Sequence, residues 1–141
     1  MLGIHEYLVK KYSSTTFTYF EYFCEMRKKA IISPFLTRFF SAGRADAVTI
    51  FPFVLVRTKD MAQDKVLMNH EYIHLSQALE LLVLPFYILY ILEFLLRFIY
   101  YRNFQRAYKN ISFEREAYKN EADLHYLKTR KLWSFIKYYS Q

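Results

Sequence analysis

The sequence predicts an α+β fold, mainly α, in which a helical core carries a short edge strand or small antiparallel sheet. Three observations lead there. The chain of 141 residues holds only two glycines and three prolines, too few for the many tight turns of an all-β domain. One run, "TIFPFVLVR" at 49–57, is β-branched and aromatic, the composition of a strand. Long apolar stretches at helical spacing fill much of the rest. The length fits one domain over 1–141 with a single modest core.

Residues 4–12 and 15–30 mix Tyr, Phe and Ile with Glu and Lys at loosely helical spacing, and end near Ser33-Pro34, since proline disfavours helix in the residue before it. "SAGRADAV" at 41–48 reads as a turn into the strand at 49–57. Pro52 has no amide hydrogen to donate, which confines it to an edge strand or to the end of the pairing. Asp60 or Asp64 can start the next helix, expected to run to about Val83 before Pro85 kinks or stops it. Residues 86–101, "FYILYILEFLLRFIYY", form another helix. A third is expected from Ser112, a good N-cap, onward through 113–139.

The apolar helix raises a membrane question. Leu81 to Leu92 are uncharged, but Glu93 and Arg97 follow, and a spanning helix needs about 20 apolar residues. The two charges stand four apart and can pair on one face. A buried or interfacial helical hairpin is expected rather than a full span. The formal charge of +7 fits an anionic membrane surface. Its basic residues are scattered among aromatics and aliphatics without a nucleic-acid-binding motif, so nucleic acid is not expected as a partner. Cys24 is the single cysteine and cannot close an internal disulfide. No secretion signal is recognised at the start, so a cytoplasmic or cytoplasmic-face membrane-associated location is expected.

The chemistry concentrates at His70-Glu71-Tyr72-Ile73-His74. His5-Glu6-Tyr7 opens the same way but has Val9 where the second histidine would stand, so only the later copy can chelate. On a helix, positions i and i+4 share a face, which lets His70 and His74 present ring nitrogens to one metal ion. Glu71 lies about 100° round, beside the metal without coordinating it, where its carboxylate can take a proton from metal-bound water. A catalytic zinc needs a third protein ligand. His5 and His125 are the only other histidines, and no third one follows His74 closely. "SFEREAY" at 112–118 offers Glu114 and Glu116, although acids in a first helical turn are also favoured by the helix dipole. The helix after His74 and the one returning from Pro85, each roughly 16 Å long, can bring that turn back to the histidines.

HEYIH with Gln77, followed some forty residues later by Phe113-Glu114-Arg115-Glu116-Ala117-Tyr118, resembles the gluzincin branch of zinc metallopeptidases. The likeness is to the compact catalytic cores of HtpX-type and BlaR-type membrane metallopeptidases, and it covers about residues 45–125. The resemblance implies a zincin-like domain with an edge strand before the HExxH helix, apolar helices after it, and a third ligand in a Glu-x-x-Ala-Asp-like motif. Here that motif reads Glu114 to Tyr118, with Tyr118 where the family usually has Asp. It implies that His70, His74 and Glu114 bind Zn2+, with Glu116 the substitute if the register is off by two, and that Glu71 is the general base. The expected activity is zinc-dependent hydrolysis of a peptide or protein laid along 49–57, by Glu71-assisted attack of zinc-bound water. Tyr118 is a candidate oxyanion stabiliser, and Glu121, Asp123 and His125 are spare acids and a histidine expected on a solvated face. Two other readings stay open. One is a non-catalytic, membrane-associated helical protein with a structural or vestigial metal site, which the small size and the missing Asp at 118 favour. The other is zinc hydrolysis of something other than a peptide.

Overall fold

Strands form where the β-branched residues cluster. In the computed structural model, which describes residues 30–140, β1 (Ala30–Ile32), β2 (Ala47–Ile50) and β3 (Phe53–Val56) make one sheet in the order β1-β3-β2. β2 and β3 are antiparallel with Val48 opposite Leu55, and β1 runs parallel to β3 with Ile31 opposite Leu55, so the sheet is mixed. The single strand expected over 49–57 is thus two strands joined at Phe51-Pro52. Pro52 sits at the end of the pairing, where its missing donor costs nothing. Among the described residues the outer strands are β1 and β2. β3, covered on both sides, buries Val54, Leu55 and Val56 as a continuous apolar run.

α1 (Pro34–Phe40) follows β1. Ser33 caps it by accepting from Leu36 N, and Pro34 occupies its first turn, where no N–H is needed. Ser33-Pro34 therefore starts a helix instead of ending one. The helical stretches expected at 4–12 and 15–29 lie outside the described residues, as do His5 and Cys24; Ala30 belongs to β1.

α2 (Lys59–Gln63) contains Asp60. α3 (Lys65–Glu80) begins at Asp64, whose carboxylate accepts from Val66 N and Leu67 N at 2.9 and 3.1 Å. α3 stops at Glu80, short of Val83. Leu82 and Val83 take positive φ, and Val83 N donates back to Ala78 O. Pro85 then lies in the first turn of α4 (Leu84–Tyr101), where it starts that helix. A short α5 (Phe104–Lys109), capped by Asn103, was not expected.

α6 (Ser112–Asn120) departs furthest from expectation. Its N-cap is Ile111, and Ser112 is its first helical residue, donating from N and Oγ to Glu93. The helix ends at Asn120 instead of continuing to 139. α7 (Tyr126–Thr129) and a 3-10 turn (Ser134–Tyr138) complete the described chain. The stop has a tertiary cause: Asn69 Nδ2, from α3, donates to the carbonyls of Asn120, Glu121 and Asp123 at 3.4, 2.9 and 3.0 Å.

Two apolar clusters flank α3. Ala47, Val54 and Val56 of the sheet pack on Met68 and Leu75. Ala78, Leu81, Phe86, Ile111, Phe113 and Phe135 form the second. Between them α3 buries a polar stripe of His70, Glu71, His74 and Gln77.

Candidate metal centre

One helical turn separates His70 from His74, and their Nε2 atoms lie 3.1 Å apart. Glu114, in the first turn of α6, reaches both: Oε2 is 3.3 Å from His70 Nε2 and Oε1 3.2 Å from His74 Nε2. All three residues are buried, and one ligand atom from each lies within 4.8 Å of the others, so the set could hold a metal ion. Glu116 turns away. It accepts from Arg130 Nε at 2.6 Å, Tyr126 Oη at 2.8 Å and Gln77 Nε2 at 3.0 Å. Glu114, and not its neighbour two residues on, joins the histidines.

The outer nitrogens of the two rings define the inner ones. His74 Nδ1 lies 2.8 Å from Gln77 Oε1. The orientation of that amide is settled, because Gln77 Nε2 faces two acceptors, Phe113 O and Glu116 Oε2. His70 Nδ1 lies 2.8 Å from the Glu121 carboxylate. Both rings thus keep a proton on Nδ1, so that Nε2, once deprotonated, turns a lone pair inward, toward a third acceptor, Glu114. Three acceptors facing one point repel unless a cation lies among them, either a metal ion or, in the metal-free chain, the proton that His74 carries toward Glu114. Glu114 Oε2 is buried without a hydrogen-bond partner, while Oε1 accepts from Tyr90 Oη at 2.5 Å. An orphaned buried carboxylate oxygen and two inward imidazole lone pairs fit a metal, and two His with one carboxylate is a donor set of hydrolytic zinc.

Proton affinities carry the same signature. Burial would lower the His74 pKa, but the charge of Glu114 and its hydrogen bond, with Glu71 and Gln77 adding to them, raise it to about 9. His70 is likewise raised against burial by Glu114. Burial would raise Glu114, yet the two histidines hold it far below the usual carboxylate range.

Glu71 is buried beside the histidines, and Thr49 Oγ1 of β2 lies 2.7 Å from its Oε2 and 3.0 Å from its backbone O. Tyr118 lays its ring against His70, centroids 4.7 Å apart, with its pKa pushed up to about 12 by burial and by Glu114. Burial and Glu114 also raise Tyr108.

Asp123 and His125 lie on the surface as expected. Glu121 does not belong with them: it supplies the carboxylate behind His70 that Asp would have been expected to give from position 118. Sequence reading missed this role, and those of Tyr90, Asn69 and Thr49. Gln77 had a visible signal, because i+3 from His74 and i+7 from His70 is the same helix face. The others reach the site only through tertiary packing. No family model, curated protein or solved structure matches the chain. The resemblance to gluzincins stands on these residues alone.

Proposed function

We propose that the protein is a zinc-dependent metallopeptidase. The observation that supports this most is the convergence of two Nδ1-protonated histidines and a partnerless Glu114 oxygen, with the Glu71 carboxylate beside them. Zinc bound by His70, His74 and Glu114 would supply Lewis acidity, activating water near neutral pH and polarising a peptide carbonyl. Glu71 would take the proton of the attacking water and pass it to the leaving amine. Thr49 holds that carboxylate in place from β2. Because β2 is an outer strand, a peptide paired along it would pass Glu71. Tyr118, ring on His70 and partly open to solvent, is the candidate donor to the carbonyl oxygen.

Glu71→Gln should keep zinc at the wild-type level by elemental analysis while hydrolysis of unstructured peptides falls by about 10²–10⁴. Loss of metal, or full activity, would count against the role given to Glu71. The depth of burial of all three ligands favours a second reading, a structural metal site in a non-catalytic protein. Zinc without an exchangeable water, and a Tm that collapses on chelation, would select that reading.

A further inference from the structure

α4 is built inside out. Its polar groups turn toward the protein: Tyr90 donates to Glu114, Glu93 accepts from Ser112, and Arg97 pairs with Glu93 at 2.7 Å and donates to Tyr139 O. Its aliphatic residues turn the other way. Ile88, Ile91, Leu92, Leu95, Leu96 and Ile99, spaced to share one helix face, are between 46% and 71% exposed. Only Phe86 and Glu93 of its eighteen residues are buried. That is not the buried helix the sequence allowed, nor the pattern of a helix facing water, which hides its apolar stripe and hydrates its charges. The stripe also exceeds the isolated apolar residues that a soluble surface carries.

Eighteen residues at 1.5 Å each span about 27 Å, close to the thickness of bilayer hydrocarbon. The helix ends in Tyr100, Tyr101 and Arg102, followed by Arg106 and Lys109, which is the aromatic and basic composition found at headgroup level. The net charge of +7 attracts an anionic lipid surface and repels a second copy of the same chain. We infer that the outer face of α4 seats in the hydrocarbon of an anionic bilayer, with Tyr100 to Arg102 at its headgroups. The inference is independent of the metal centre.

Flotation of the full chain with phosphatidylcholine–phosphatidylglycerol vesicles tests it. Wild type should float, and should still do so in about 0.5 M salt, where headgroup attraction is screened. The double variant Leu92→Glu, Leu96→Glu should lose at least about tenfold in bound fraction with its far-UV CD unchanged. Ile88→Glu and Ile99→Glu, at the two ends of the stripe, serve as separate variants should the double one lose its CD signal. Arg102→Glu should weaken binding to the anionic vesicles and leave binding to pure phosphatidylcholine unchanged. Wild type left at the bottom of the gradient, or glutamate variants floating as well as wild type, would overturn the inference. So would a lipid-free dimer in sedimentation equilibrium that Leu92→Glu, Leu96→Glu splits, since a second copy would then be the cover.

Discussion

Asn69, the residue before His70, is 3% exposed and spends its side-chain amide on three carbonyls at and just beyond the end of α6. Asn120 O and Asp123 O also accept from the backbone, from Asp123 N and Tyr126 N, so the Glu121 carbonyl is the one that relies on Asn69. Asn69→Ala removes two good hydrogen bonds and leaves the Glu121 carbonyl without its donor, at a cost of about 2–3 kcal/mol. Asn69→Asp has the same shape but aims a charged acceptor at three oxygens, and should cost at least about 1 kcal/mol more than alanine. Urea denaturation of the full chain at pH 7, followed by far-UV CD, reads the difference directly. With a slope of about 1–3 kcal/mol/M, the alanine midpoint should drop by roughly 1–2 M and the aspartate midpoint further. Zinc affinity should fall in both variants, because Glu121 follows the capped residue and holds His70 Nδ1. An aspartate variant as stable as wild type, or more stable than alanine, would refute the argument that donation by Asn69 ends α6.

Glu121→Gln should leave His70, His74 and Glu114 in place yet weaken zinc binding by about 10–100-fold, measured by chelator competition; unchanged affinity would show that His70 needs no carboxylate behind it. In the metal-free chain the raised histidines contribute stability that is complete below their ordinary 6.5 and lost as pH climbs through about 9 for His74. The lowered Glu114 contributes above its ordinary 4.5 and loses that contribution as pH falls below it. Urea midpoints without metal should therefore peak between pH 4.5 and 6.5 and decline toward 9, and a flat profile would contradict the coupling of these groups. Zinc must expel the His74 proton, so its affinity should rise about tenfold per pH unit up to about 9. Arg130→Met should destabilise by about 3–5 kcal/mol in the same urea assay, because it strands the buried carboxylates of Glu80 and Glu116.

The helical character of the chain, the helix that carries HEYIH and its start at one of two aspartates, Asp60 or Asp64, could be read from periodicity and capping chemistry, which act within a few residues. The elements that sequence missed are set by contacts between distant segments. α6 looked continuous to 139 because nothing local after Asn120 breaks a helix; the amide that stops it comes from Asn69, some fifty positions earlier. The strand at 49–57 looked single because both halves are apolar, and the turn at Phe51-Pro52 matters only once β3 has a neighbour on each side. Glu121 looked solvated because its partner, His70, lies on another helix. Spacing alone could not choose between Glu114 and Glu116, both in one helical turn. The choice rests on Arg130, Tyr126 and Gln77, which draw Glu116 to the far side.

The placement of Glu114 is settled from outside its own helix. α6 has nine residues, too few to be a stable helix alone in water, and no side chain of its own caps its start. Glu93 of α4 accepts from Ser112 N and Oγ at one end, and Asn69 of α3 donates to the carbonyls at the other. Between those anchors Tyr90, one turn before Glu93 on the same inner face of α4, holds Glu114 Oε1. α4 therefore positions Glu114, the candidate third ligand, twice, through the helix start and through the carboxylate itself. This accounts for an apolar helix that keeps a buried glutamate: Glu93→Leu would suit the hydropathy of α4 but free the first turn of α6. Its expected signature is weakened zinc binding with the secondary structure of α3 and α4 intact, whereas undiminished zinc affinity in Glu93→Leu would mean that Tyr90 alone suffices to place Glu114.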